Sequence, residues 1–147
     1  MPARIIVSTL NSPTYKFDKF ISLLFNEFIP RPKYSLKNSL ELKKSLDTLL
    51  IPENYKLISL DVVSLFTNLH ADLIISDKKK KWLYLRNRIN LLLNEFIEGI
   101  KTLLSSTYFK FDSDFFQQLV GSPMGGNSSP WFAEIALEEL ENNCLKE

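Results

Sequence analysis

Asp61 is the residue of this chain whose type and setting most strongly indicate chemistry. It lies in Tyr55–Asn68, where an apolar run carries one carboxylate and Phe66 follows five residues later. Asp is depleted in strands and is seldom buried without a partner. A carboxylate at the end of a buried strand therefore requires hydrogen-bond donors, a cation or a metal ion, and Mg²⁺ prefers such hard oxygen ligands. The competing interpretation is an Asp that caps a turn or pairs with a lysine.

A glycine-rich loop, Gly121–Pro130, is the second candidate site. It contains three glycines within six residues, which permit positive φ angles and close approach of another backbone or a ligand. The loop leads into a predicted helix, and helix N-termini attract anions. It matches neither a Walker loop nor a dinucleotide-binding pattern. Taken alone, the loop is therefore interpreted as an ordinary entry into a helix.

Apolar periodicity predicts the elements that would position these residues. Helices are expected at about 13–29, 35–50, 71–84, 91–106 and from 129 onward, the first two capped by Ser12 and Ser35. Strands are expected at 4–9 and 55–62, followed by a hairpin of 107–111 and 115–119 around the three-residue loop Asp112–Asp114. Helices and strands that do not alternate regularly predict an α+β fold.

Composition limits the class of protein. The 147 residues correspond to about one domain, and 45% hydrophobic residues indicate a globular chain. No apolar run approaches the roughly 20 residues of a membrane-spanning helix, and no signal peptide is recognisable. The single cysteine, Cys144, excludes an internal disulfide. With a net charge of +1, any nucleic-acid-binding surface must be a local cluster of basic residues. The run Lys78–Lys81 beside Trp82 is one such cluster; we interpret it first as a solvated helix face and second as a contact to phosphates.

Segments along nearly the whole chain resemble the reverse transcriptases of Penelope-like retroelements. Arg4–Ser8 and Asn11–Tyr15 resemble family segments of the form Arg-Pro-Ile-Val-Ser and Asn-Ser-Pro-Thr-Tyr. Asp61–Asn68 is similar to the family motif Asp-Val-Val-Ser-Leu-Phe-Thr-Asn without a change, and Gly121–Pro130 resembles Gly-Thr-Pro-Met-Gly-Ser-Pro-Leu-Ser-Pro. The resemblance implies part of a right-hand polymerase fold. It places a fingers remnant at about 1–54, palm motif A at about 55–68, a helix and hairpin at about 71–120, and the motif B loop and helix at about 121–147.

The resemblance also implies roles for residues in template-directed nucleotidyl transfer with two Mg²⁺ ions. Asp61 would be the catalytic metal ligand, the Val62 carbonyl a second oxygen ligand, and Phe66 a steric gate that excludes ribonucleotides. The other implied contacts are nucleotide-binding Arg4, Met124 and Gly125, and template-binding Gln118, Gly121, Pro123, Lys79 and Lys80. Core packing, hairpin surface and a solvated helix face are the competing interpretations of Phe66, Gln118 and the two lysines.

Departures from the family pattern limit the implied activity. The chain reaches Glu147 before the aromatic-x-Asp-Asp hairpin that supplies further carboxylates in the family. We therefore expect a fragment that lacks the rest of the palm, the thumb and a possible GIY-YIG endonuclease. One carboxylate cannot hold two metal ions, so we expect no catalysis by this chain alone. His70, the only histidine, replaces a family proline and is not expected to act in catalysis.

Three hypotheses about function remain open at this point. The first is a fragment of an RNA-directed DNA polymerase, whose partners would be an RNA template, a DNA primer and deoxynucleoside triphosphates. Such a protein would be intracellular, and the resemblance favours the nucleus over the cytoplasm; no membrane partner is expected. The second is a non-catalytic remnant or domesticated module that binds nucleic acid or a protein. The third is a product that does not fold stably, because half of a palm leaves sheet edges and apolar faces uncovered.

Overall fold

A computed structural model of the chain describes residues 6–76 and 78–144, the side chains of 76–80 excepted. Within these ranges the chain forms six α-helices, one 3₁₀ turn and one antiparallel pair of strands. In chain order they are α1 (Tyr15–Phe28), α2 (Ser39–Asp47), the 3₁₀ turn (Leu65–Asn68), α3 (Ala71–Ser76), α4 (Lys78–Leu85), α5 (Leu93–Ser105), β1 (Tyr108–Phe111), β2 (Asp114–Gln117) and α6 (Ser129–Cys144). The predicted α+β class is confirmed.

Phe25 of α1 lies at the centre of the hydrophobic core. Its ring centroid is 6.2 Å from that of Phe96 in α5, and 6.0 and 6.3 Å from those of Trp131 and Phe132 in α6. These tilted and edge-to-face pairs are favourable aromatic geometries. The remaining core residues continue the same helix faces, among them Ile21, Leu24, Leu85, Ile100, Leu103, Leu104, Ile135 and Ala136. The core is therefore built from helix faces with a period of 3.6 residues.

The helices predicted from this period are present, with shifted starts. Helix α1 begins at Tyr15 after the N-cap Thr14, whereas Ser12 was the predicted cap. Helix α2 is capped by Asn38 rather than Ser35, because the Asn38 side chain accepts the Glu41 N–H at 3.0 Å. The predicted helix at 71–84 corresponds to α3 and α4, on either side of residue 77.

The strand predicted at 55–62 is wrong: in the described structure these residues have no regular secondary structure. Their side chains are exposed, including Leu57 at 65%, Ile58 at 80% and Leu60 at 89%. A β-strand forms only where its backbone groups pair with a neighbouring strand, whereas an exposed segment without one leaves these groups to water. Since the only sheet in residues 6–76 and 78–144 pairs β1 with β2, segment 55–62 has the composition of a strand without the neighbour that a strand needs.

Two smaller expectations about β structure also need correction. The hairpin connection has two residues, because the register pairs Phe111 with Asp114 and leaves Asp112 and Ser113 in the turn. Asp112 adopts φ +55°, a left-handed conformation that Asp tolerates better than most residues. Within the predicted strand at 4–9, the described residues contribute an isolated parallel bridge between Ser8 and Gly125 instead of a strand, and residues 4 and 5 lie outside the described residues.

Candidate functional site

The segment Gly121–Pro130, called the glycine loop below, contacts the 3₁₀ turn through backbone atoms. The Ser122 N–H donates to the Phe66 carbonyl oxygen at 2.8 Å. Gly121 has φ +91°, and a Cβ atom at this position would lie 2.4 Å from the same Phe66 oxygen. Glycine is therefore required here by both conformation and space. This contact joins two of the segments that carry the sequence resemblance, Asp61–Asn68 and Gly121–Pro130.

The middle of the glycine loop lies against the segment that precedes α1. Gly125 forms the parallel bridge to Ser8, and a Cβ atom on Gly125 would lie 2.6 Å from the Val7 carbonyl oxygen. Val7 is itself buried, with 1% of its surface exposed. The backbone of the loop thus packs directly on the backbone of residues 7 and 8, with no space for a side chain between them.

A buried carboxylate, Asp18 of α1, binds the end of the glycine loop. Its Oδ2 accepts the Asn127 N–H at 2.7 Å, the Asn127 side-chain amide at 3.1 Å and the Thr9 hydroxyl at 3.0 Å. Its Oδ1 accepts the Ser128 N–H at 3.0 Å and the Ser128 hydroxyl at 2.5 Å. Asp18 is 3% exposed. Five hydrogen bonds therefore satisfy a carboxylate that burial would otherwise disfavour.

These contacts determine the charge state of Asp18. Burial alone raises the pKa of this carboxyl group, because the charged form loses its hydration. Hydrogen bonds from the Ser128 side chain, from the Asn127 and Ser128 backbone N–H groups and from the Asn127 side chain outweigh burial, so the pKa of Asp18 lies below its usual value. The carboxylate binds the N–H groups of the two residues that immediately precede α6, near the helix end at which a negative charge is stabilised.

Sequence reasoning did not single out Asp18, although one signal was present. Asp18 lies three residues before Ile21 and seven before Phe25, and all three are buried on one face of α1. An acid at an apolar position of a helix is unusual and requires a partner. The identity of that partner depends on tertiary structure, since Asn127 and Ser128 are 109 and 110 residues away in sequence.

Asp61 does not occupy the buried strand end that its sequence context predicted. It is exposed, it lies outside any helix or strand, and the neighbouring Val62 is 44% exposed. The chain turns after it at Ser64, which has φ +55°. In the described part of the chain, no group of three or more His, Cys, Asp or Glu side chains could hold a metal ion. The described residues therefore do not fit a two-metal site, which needs several converging carboxylates.

Other residues implied by the resemblance have varied surroundings. Phe66 is partly buried and packs against the core, while its backbone carbonyl binds the glycine loop. Within that loop Pro123 is buried, Met124 is partly buried and Gly125 is exposed. Arg4 lies outside the described residues, as do the side chains of Lys79 and Lys80, whose backbone belongs to α4. The structure thus brings Phe66, Gly121 and Pro123 into one region.

Gln118, an implied template contact, supports the entry to the glycine loop. Its side-chain amide donates to the Val120 carbonyl oxygen at 2.9 Å and to that of Ser122 at 3.4 Å. The Gln118 carbonyl in turn accepts the hydroxyl of the buried Thr107 at 2.9 Å. The Gln118 side chain is therefore used to hold the loop's own backbone.

The basic run is not entirely a solvated face. Lys81 forms an ion pair with Glu138 of α6, and the two side chains are only 13% and 18% exposed. Lys81 therefore contributes to the packing of α4 on α6, which contradicts the solvated-face interpretation for this residue. His70 and Cys144 are both exposed.

Comparisons with known proteins add no relative. No protein-family model, no curated protein and no solved structure matches this chain. Among the described residues, none of the helices combines the length and apolar character needed to cross a membrane.

Proposed function

We propose that this chain contributes the nucleotide- and template-binding part of an RNA-directed DNA polymerase of the reverse transcriptase kind. The contact between the Ser122 N–H and the Phe66 carbonyl, 2.8 Å long, carries the proposal. It joins the two segments that resemble polymerase motifs A and B, although they are far apart in sequence. A polymerase needs these segments side by side, because one flanks the sugar of the incoming nucleotide and the other lies beneath the new base pair.

The proposed roles follow from the contacts at this junction. The Phe66 side chain would exclude a 2′-hydroxyl, since its ring is held against the core and cannot move aside freely. Met124 and the exposed Gly125 would support the base pair from the glycine loop. In a complete polymerase site Mg²⁺ would stabilise the developing negative charge, but Asp61 is the one carboxylate of this chain that would bind the ion. We therefore expect the chain to bind primed template without extending it.

Binding is tested with an RNA template annealed to a labelled DNA primer, followed by fluorescence anisotropy over a salt series. We expect the affinity to fall steadily as salt rises, because lysines and arginines release counterions from phosphates. Duplex DNA of equal length should compete less well than the RNA–DNA hybrid. With nucleotide added to the template-bound protein, Phe66→Leu should reduce the preference for a deoxynucleoside over a ribonucleoside triphosphate, whereas the same change at Phe20, a half-exposed aromatic of α1, should leave it unchanged. Absence of binding at low salt would refute the proposal.

Catalysis is tested separately with all four deoxynucleoside triphosphates and either Mg²⁺ or Mn²⁺. We expect no primer extension by the purified chain. Extension that disappears in Asp61→Asn would show that the chain holds a complete catalytic site, contrary to this expectation. Extension that persists in Asp61→Asn would indicate a contaminating polymerase.

A non-catalytic protein-binding module is the second candidate, favoured by one observation. Every residue from 36 to 64 is exposed, including Leu50 at 94%, Ile58 at 80% and Leu60 at 89%. Contiguous exposed apolar residues are typical of surfaces that bind other proteins. If the wild-type protein does not bind nucleic acid at any salt concentration, and if it self-associates in a way that Leu60→Glu abolishes, this candidate would be favoured over the polymerase.

A further inference from the structure

We propose that Asp18 is the positioning residue of the glycine loop, and that its carboxylate sets where Met124 and Gly125 lie relative to α1. The inference rests on the proposed function, in which these two residues support the nascent base pair. It assigns a role to a buried charged group that neither the sequence resemblance nor the proposed chemistry uses. Asp18 would touch no substrate and would act only through the loop.

The first argument is connectivity. One carboxylate joins three separate parts of the chain: Thr9 before α1, α1 itself, and Asn127 and Ser128 at the end of the glycine loop. Each oxygen has its own set of donors, so the loop is held in orientation as well as in distance. Oδ2 binds Asn127 and Thr9, whereas Oδ1 binds Ser128 through both its N–H and its hydroxyl.

The second argument is the position of these contacts relative to the implied site. Asn127 lies two residues after Gly125, and Gly125 pairs with Ser8, next to the Thr9 that Asp18 also binds. The Asp18 carboxylate and the Ser8–Gly125 bridge therefore hold the same two segments together at neighbouring residues. Movement of the Asp18 side chain would shift both segments.

The third argument is that a carboxylate is specifically required. Four of the donors are two backbone N–H groups, one hydroxyl and one amide from the loop, and the fifth is the Thr9 hydroxyl. An Asn side chain would direct its NH₂ group toward N–H donors on one side, and two donors repel each other. Asp18→Asn is therefore nearly unchanged in volume but cannot reproduce the contacts. Asp47→Asn is the matched control, since Asp47 is on α2 with a 59% exposed side chain.

The loop contact is tested first, without reference to function. In ¹⁵N-labelled wild-type protein, the amide protons of Asn127 and Ser128 should exchange slowly with solvent because both are hydrogen-bonded to Asp18. In Asp18→Asn their exchange should accelerate about tenfold or more, the expected result of losing a charged acceptor, while α5 amides stay protected. Unchanged exchange at both residues would refute the contact itself.

The positioning role is tested with primed RNA template carrying 2-aminopurine, a fluorescent base, at one of two places. One probe is at the primer terminus, and the other is well upstream in the duplex. At saturating protein, wild type should change the emission of the terminal probe. We expect Asp18→Asn to reduce that change by at least about half while leaving the upstream probe as in wild type, because the loss of hydrogen bonds to a charged group acts locally. A merely weakened fold would affect both probes together.

The outcomes separate this inference from the proposed function. If wild type does not bind primed template, the proposed function fails and the positioning role fails with it, whatever amide exchange shows about the contact. If wild type binds and folded Asp18→Asn gives the wild-type terminal signal, the positioning role alone is refuted. Should Asp18→Asn not fold, Thr9→Val and Ser128→Ala each remove one hydroxyl contact. Both should then reduce the terminal signal in the same direction, and wild-type signals in both would refute the inference.

Discussion

Replacement of Gly121 by alanine should destabilise the protein through the contact that joins the glycine loop to the 3₁₀ turn. Gly121 has φ +91°, and an added Cβ would lie 2.4 Å from the Phe66 carbonyl oxygen and 2.8 Å from the Thr67 Cα. Both neighbours are backbone atoms, so neither can rotate away. The alanine must either distort the turn or break the Ser122–Phe66 hydrogen bond.

The expected loss of stability combines two destabilising effects and one smaller stabilising effect. The left-handed conformation costs about 1–2 kcal/mol for a residue with a Cβ. Overpacking against immobile atoms typically costs about 1–3 kcal/mol. Alanine lowers the entropy of the unfolded chain and returns roughly 0.4–1 kcal/mol. The free energy of unfolding should therefore fall by about 3 kcal/mol, which corresponds to a decrease in Tm of roughly 6–12 °C for a chain of this size.

The assay is urea and thermal unfolding monitored by circular dichroism, with Gly99→Ala as the matched control. Gly99 lies inside α5, and its added Cβ would meet the ring of Phe17, whose nearest atom is 2.5 Å away. That ring belongs to a side chain that can shift, and alanine favours the helix by about 1 kcal/mol. Gly121→Ala should therefore be clearly less stable than Gly99→Ala. Equal stability of the two variants would refute the backbone contact at Gly121.

Three further predictions follow from the core and its buried charges. The hydrogen bonds to Asp18 lower its pKa, so their contribution to the free energy of unfolding is complete above the unfolded-state pKa of about 3.9 and is lost as pH falls through the lower folded-state pKa. Acid unfolding of Asp18→Asn should lack this pH-dependent loss of stability. Lys81→Met should cost about 1–3 kcal/mol by leaving Glu138 unpaired, more than Lys101→Met at an exposed pair, as measured by urea unfolding. Phe25→Ala should cost about 3–5 kcal/mol by removing the central ring of the core, or abolish cooperative thermal unfolding.

The helical part of the fold was predictable because the information is local. Buried residues recur every three or four positions in α1 and α5, and this period is visible in the sequence. Segment 55–62 shows the limit of the same reasoning. Its residues favour a strand, but a strand also needs a neighbour, and the described structure provides none. The composition of a segment indicates the conformation it favours, but not whether a second strand is present to pair with it.

The candidate site was predictable only in part, for a related reason. The glycine loop and the Phe66 segment were found from the residues and the resemblance, while Asp18 was missed because its partners in the loop, Asn127 and Ser128, are more than a hundred residues away. Asp61 was expected to be buried because a strand was predicted at 55–62, and since that strand is absent, Asp61 is exposed. Neither error arises from the chemistry of the residue; each arises from long-range contacts that a local pattern does not contain.

The position of the glycine loop depends on residues that would not touch a substrate. Gly121 allows the backbone to reach Phe66, Ser8 pairs with Gly125, and the Asp18 carboxylate binds Asn127. Each contact uses a different property, namely backbone conformation, backbone pairing and buried charge. Of these contacts only the hydrogen bonds to Asp18 titrate, and because the pKa of this carboxyl lies below its usual value, they weaken only as the pH falls below that usual value. Partial loosening of the loop's end should therefore precede global unfolding as pH falls, and amide exchange at Asn127 should accelerate before exchange at Ser122.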